Sequence, residues 1–162
     1  MEHLWSPWRS AYVEGKECPP AGHCIFCDAV QGGDEESYIL HRGRFNFVLL
    51  NRFPYTSGHL MIAPFEHVSR LSHTDPASSL EMMALTRAAE RILEATYHPA
   101  GLNLGMNLGQ AAGAGIAEHI HMHVLPRWIG DTNFMAAVGE TRVMPESLEQ
   151  TYSKLRGEFR RL

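Results

Sequence analysis

The sequence predicts an α+β fold: an antiparallel sheet backed by one principal helix, with a further helix near the C-terminal end. Three observations carry this expectation. Two runs of strand formers, residues 44–51 and 59–64, are separated by a turn that contains Pro54 and Gly58. Apolar residues recur at helical spacing across residues 76–96. Between residues 118 and 126, His119, His121 and His123 alternate with apolar residues at the period of a strand.

Residues 1–23 hold Trp5, Trp8, Tyr12 and the Pro19-Pro20 step without sustaining either period, so an irregular N-terminal arm packed on the domain is expected. The core, residues 24–128, opens with Cys24-Ile25-Phe26-Cys27 and a short polar segment through Ser37. Residues 44–51 and 59–64 then form an antiparallel pair about the turn from Arg52 to Gly58, and Pro64 ends the second strand. Thr74 and Asp75 offer an N-cap, Pro76 suits the first helical position, and Leu80, Met83, Leu85, Ala88, Ile92 and Leu93 mark the principal helix. Its Met and Leu stripe reads as core packing. A strand at 102–108 and a small-residue loop with Gly109, Gly113 and Gly115 lead into the histidine strand at 118–126. The C-terminal extension, residues 129–162, passes through Gly130-Asp131-Thr132-Asn133-Phe134 to a helix between Pro145 and Arg156, whose Leu148, Tyr152 and Leu155 share a face.

At 162 residues the chain suffices for one well-buried core and is short for two. A formal charge of -4 gives no broad basic footprint, so a small nucleotide is the expected partner rather than a nucleic acid. Met1 to Arg9 contain no apolar run of the signal-peptide kind, and nowhere do about 18 uninterrupted apolar residues occur. A cytoplasmic location without a membrane partner is the expectation. Cys18, Cys24 and Cys27 are an odd number crowded into one segment, which suits a metal site in a reducing compartment better than a disulfide framework.

On a strand the imidazoles of His119, His121 and His123 leave one face, about 6–7 Å apart, while Ile120, Met122 and Val124 leave the other. Such a row of polar rings is costly unless a ligand or network uses it, whereas His3, His23, His41, His73 and His98 read as ordinary polar groups. A neutral imidazole can attack the α-phosphorus of a nucleotide phosphoanhydride and hold the nucleotidyl group covalently. His121, flanked on both sides, is the natural nucleophile, and His123 a donor to the phosphate oxygens. The CxxC motif is compatible with a redox pair, half of a zinc site, or two buried cysteines. His67 and His119 are candidates for the two missing ligands, in a closed and therefore structural Cys-Cys-His-His site. Cys18 with His23 is an alternative ligand pair.

The run from His119 to Leu125 resembles the HφHφHφφ signature of the histidine triad superfamily of nucleotidyl hydrolases and transferases. The resemblance extends upstream through Asn51-Arg52-Phe53-Pro54, Gly58-His59 and Ile62-Ala63-Pro64, and covers residues 24–128. It implies a histidine-triad fold paired as a homodimer. It also implies His121 as the nucleotidylated residue, with His123 and Asn107 near the phosphates and His59 supporting the triad. Asn51 matches a ribose-contacting position, and Ile25, Phe26 and Leu49 match the base pocket. In zinc-containing members the metal ligands match Cys24, Cys27, His67 and His119, which implies one structural zinc per chain. Where many members carry Gly-Gln-Ser/Thr, this chain has Ala114-Gly115-Ile116, so backbone amides such as that of Gly115 take the place of side-chain donors at the phosphates. The Gly113-Ala114-Gly115-Ile116 form, with Leu4-Trp5-Ser6-Pro7-Trp8-Arg9 and Pro126-Arg127-Trp128, resembles the branch that contains bacterial diadenosine tetraphosphate phosphorylases.

The expected function is cleavage of dinucleoside polyphosphates through a nucleotidyl-histidine, with phosphate or water as acceptor. Two other classes remain open on the residues. The HxHxH row could hold a catalytic metal, or the chain could bind nucleotides as a regulatory module without turnover.

Overall fold

In the computed structural model, which describes residues 23–131 and 145–162, five strands form one sheet in the order β1-β2-β3-β5-β4. They are β1 (Ile39–Arg42), β2 (Asn46–Leu50), β3 (Leu60–Pro64), β4 (Gly101–Gly105) and β5 (Met122–Arg127), and every neighbouring pair is antiparallel. Among the described residues three α-helices accompany them: α1 (Ile25–Gln31), α2 (Pro76–Tyr97) and α3 (Leu148–Phe159). The expected α+β architecture is therefore present. Among the described residues no helix is long and apolar enough to cross a membrane.

Every residue of β2 and β3 is buried, because the sheet is covered on both faces. The period of two sorts their side chains between two cores. Val48, Leu50, Leu60, Ile62, Ile120 and Val124 pack under α2 and α3 with Met82, Leu85, Leu93, Tyr152, Leu155 and Phe159. Phe47, Leu49, Met61 and Ala63 face the other way, with Ile39, and pack against Phe26 of α1. That second face carries the candidate site. The apolar members of the triad run thus anchor the helical core, which leaves its histidines for the opposite side.

The principal helix begins as its residues dictate. The Asp75 carboxylate accepts the Ala77 N–H at 2.7 Å, Pro76 occupies the first turn, and His98 ends the helix in the left-handed conformation at φ 45°. At α3 the Ser147 hydroxyl accepts the Gln150 N–H while the Gln150 side chain accepts the Ser147 N–H, a reciprocal cap that starts the helix at Leu148 and lets it run to Phe159. Tyr152 and Leu155 are buried as the expected face requires, and Phe159, beyond the predicted end, completes it.

Several boundaries differ from expectation. Strand β2 begins at Asn46 rather than residue 44, because the amides of Arg44, Phe45 and Asn46 donate to the Glu81 carboxylate of α2 at 2.7–2.8 Å. The strand expected at 102–108 is β4, Gly101–Gly105, and ends where the chain turns toward the glycine loop. The histidine strand enters the ladder only at Met122, so His119 and His121 lie on the approach to it, where the Ile120 N–H donates to the Val68 carbonyl. Neither β1 nor α1 was expected from the sequence. The expected N-terminal arm, apart from His23, and residues 132–144 of the C-terminal extension lie outside the described residues.

Candidate functional site

Gly58 has φ 77°, and a Cβ there would stand 3.1–3.3 Å from Tyr97, Leu93 and Pro126. Both the dihedral and the space demand glycine. This turn delivers His59, almost wholly buried, to the start of β3 beside β5. His59 Nε2 lies 2.9 Å from His123 Nδ1. The His59 Nδ1 atom accepts the Tyr55 backbone N–H at 3.1 Å and lies 3.3 Å from Asn51 Nδ2. The Tyr55 ring covers the pair, with centroids 4.7 Å from His59 and 6.0 Å from His123.

His121 is buried, and its Nδ1 lies 3.0 Å from the carbonyl oxygen of His119. A carbonyl only accepts, so Nδ1 carries the proton and Nε2 keeps a lone pair. Burial lowers the His121 pKa, and the hydrogen bond to His119 opposes that only in part. The ring is consequently neutral at pH 7. Its neighbour His123 stands edge-on at a centroid separation of 4.7 Å.

These histidines open into a cleft of about 830 Å³. Ile25, Phe26, Leu49, Asn51, Asn107, Gly115, His121 and His123, all singled out from the sequence, line it. Phe26 wedges between two triad rings, 5.1 Å from His119 and 4.8 Å from His121. His59 stands behind the wall and acts on His123, while His119 serves a different cluster. Tyr55, Arg52, Met61 and Ile116 also line the cleft and were not predicted.

The second cluster forms at the N-terminal turn of α1. Cys24, Cys27, His67 and His119 bring one ligand atom each to within 4.8 Å of one another. Cys24 Sγ is 3.3 Å and Cys27 Sγ 3.7 Å from His119 Nδ1, and Cys27 Sγ is 3.4 Å from His67 Nδ1. Tetrahedral zinc, with bonds of about 2.0–2.3 Å, separates its ligand atoms by roughly 3.3–3.8 Å, so the donor set fits. Protonation fits as well. His119 Nε2 must donate to the Pro64 carbonyl at 2.9 Å, which leaves Nδ1 as the lone pair facing the sulfurs. Burial, opposed by that bond and reinforced by His67 and His121, lowers the His119 pKa to about 4, so the ring is neutral, as a metal ligand must be. Burial and the adjacent Cys24 raise the Cys27 thiol to about 11, an order that a bound cation reverses. His121 and His123 are not part of this cluster. Cys18 lies outside the described residues.

Comparison with known proteins gives a consistent result. The HIT domain family matches residues 34–128. The AP-4-A phosphorylase of Mycobacterium tuberculosis is 37% identical over 169 aligned positions, spanning 99% of this chain and 86% of that protein. The crystal structure of a Zn-bound histidine triad family protein from Mycobacterium smegmatis superposes with a TM-score of 0.68 at 27% identity, covering 85% of this chain and 94% of that one. Plasmodium falciparum diadenosine triphosphate hydrolase shares the fold, with a TM-score of 0.62 at 12% identity and coverage of 85% and 96%.

Proposed function

The chain belongs to the HIT domain family, and from that membership we propose that it cleaves dinucleoside polyphosphates such as diadenosine tetraphosphate by passing a nucleotidyl group through His121 to inorganic phosphate. One observation carries the reading: a buried, neutral His121 whose Nδ1 is committed to the His119 carbonyl and whose Nε2 keeps its lone pair beside an 830 Å³ cleft. In the first step Nε2 attacks the α-phosphorus of one adenylyl unit, and the P–O bond to the leaving nucleoside triphosphate breaks. In the second, a phosphate oxygen attacks the same phosphorus, the N–P bond breaks, and a nucleoside diphosphate leaves neutral His121 behind.

The other residues hold the substrate for these steps. Ile25, Phe26 and Leu49 wall the base, Asn51 contacts the ribose, and Asn107, His123 and the Gly115 amide address the phosphate oxygens. His59 holds His123 in place. Support for phosphate over water as acceptor comes from the relative that is itself called a phosphorylase. Cys24, Cys27, His67 and His119 hold one structural zinc, which ties α1 and its base-pocket residues to the sheet. A homodimer is proposed through β4, which forms an outer edge of the sheet and leaves Leu104 49% exposed.

Incubation with diadenosine tetraphosphate, with and without phosphate, tests the acceptor. Repeated turnover to equal amounts of ADP and ATP is expected only when phosphate is present, with at most one ATP per chain released in its absence. AMP formed regardless of phosphate would instead make the chain a hydrolase.

A further inference from the structure

We propose that Tyr55 is a positioning residue: with Asn51 it dictates which nitrogen of His59 carries the proton, and through His59 it makes His123 a hydrogen-bond donor rather than a second nucleophile. The inference rests on the reading of His121 as the nucleophile and deepens it, because two adjacent and chemically identical imidazoles must be given different tasks.

Backbone amide hydrogens are fixed in direction by the chain. The Phe53 N–H donates to Asn51 Oδ1 at 2.9 Å, which settles the orientation of that side-chain amide and turns its NH₂ group toward His59 Nδ1. The Tyr55 N–H donates to the same ring nitrogen at 3.1 Å. With two donors aimed at it, Nδ1 of His59 is an acceptor, and the neutral ring holds its proton on Nε2. That Nε2–H then donates across 2.9 Å to His123 Nδ1. His123 is in turn left with its own proton on Nε2. The direction of the whole chain, from amide to His59 to His123, is imposed from one end.

His121 receives the opposite instruction. Its Nδ1 meets a carbonyl, so its Nε2 is a lone pair. The two rings, 4.7 Å apart in the cleft wall, therefore offer a nucleophile and a donor side by side. The Tyr55 ring packs over His59 and His123, while the amide of the same residue sets the direction of the relay.

Nitrogen-15 NMR of the histidines in the zinc-loaded full chain, recorded without substrate, tests the tautomers directly. His59 and His123 should each show an unprotonated Nδ1 and a protonated Nε2; a proton on Nδ1 of either overturns the proposal. Tyr55→Pro deletes the amide donor and should give mixed His59 tautomers, with kcat lower by roughly threefold to tenfold, the factor carried by one lost hydrogen bond, and little change in KM. Tyr55→Ala, which keeps the amide, should retain the His59 tautomer. Wild-type kcat in a folded Tyr55→Pro variant overturns the positioning role. If that variant does not fold, the wild-type nitrogen signals decide alone. Absence of dinucleotide cleavage by the wild-type chain would end the proposed function yet leave the tautomer measurement as it stands.

Discussion

At the scale of single residues, backbone carbonyls decide which nitrogen His119 and His121 present. His119 and His121 each face a carbonyl, yet the nitrogen left free is Nδ1 in one and Nε2 in the other, so one ring turns to the cysteines and its neighbour to the cleft. The depressed pKa of His121 has a measurable consequence. The ring must be neutral to attack, and burial holds its pKa below the ordinary 6.5. The acid limb of kcat/KM should therefore fall below pH 6.5, and a limb at or above that value would contradict the burial argument. The sign for stability agrees, since unfolded His121 takes up its proton first and the folded state loses ground as pH drops below about 6.5. His121 and His123 were legible in the sequence because their spacing alone put them on one face. Tyr55 was not, because its amide and ring matter only once the turn folds back over His59.

At the scale of elements, α1 is the part the sequence concealed. Its helix spans only seven residues, Ile25–Gln31, too few for a period to register, and the Cys24 side chain supplies no N-cap hydrogen bond. What holds the turn is its side-chain contacts: Phe26 inserts into the core with Phe47, Leu49 and Met61, and the cysteines on either side of it meet His67 and His119. The two cysteines of the cluster thus bracket Ile25 and Phe26, which line the cleft, within one turn. Removal of zinc by a chelator should lower Tm by roughly 10 °C, as a few kcal/mol does in a chain of this size. It should also weaken binding of an adenosine nucleotide. Cys24→Ser should do both and abolish stoichiometric zinc. A chelated protein with unchanged Tm and unchanged nucleotide affinity would show the cluster to be idle. Strand β1 escaped notice for a related reason: its four residues, Ile39-Leu40-His41-Arg42, are too short for alternation to register, and the pairing with β2 is broken by an irregularity between Ile39 and His41.

At the scale of the molecule, the sheet divides labour between its faces. The helical face supplies the larger core, and the opposite face, with the smaller core around Phe26, carries the cleft and the Cys-Cys-His-His cluster. This division was readable in advance from the alternation of Ile120, Met122 and Val124 with the histidines. The extent of the cleft was not, since it joins α1, the 51–59 turn and the glycine loop from separate parts of the chain. Dimerisation through β4 predicts that Leu104→Glu converts a dimer into a monomer in sedimentation experiments; a wild-type monomer, or a variant that remains dimeric, would rule out that edge. The central claim is a transient bond between His121 and phosphorus, and rapid acid-free quenching of the enzyme with diadenosine tetraphosphate in the absence of phosphate, followed by peptide mass analysis, tests it most directly. The expected result is one adenylyl group on the peptide that contains His121, discharged to ADP when phosphate is added. Turnover at the wild-type rate by His121→Ala, with no adduct found on the wild-type chain, would contradict it.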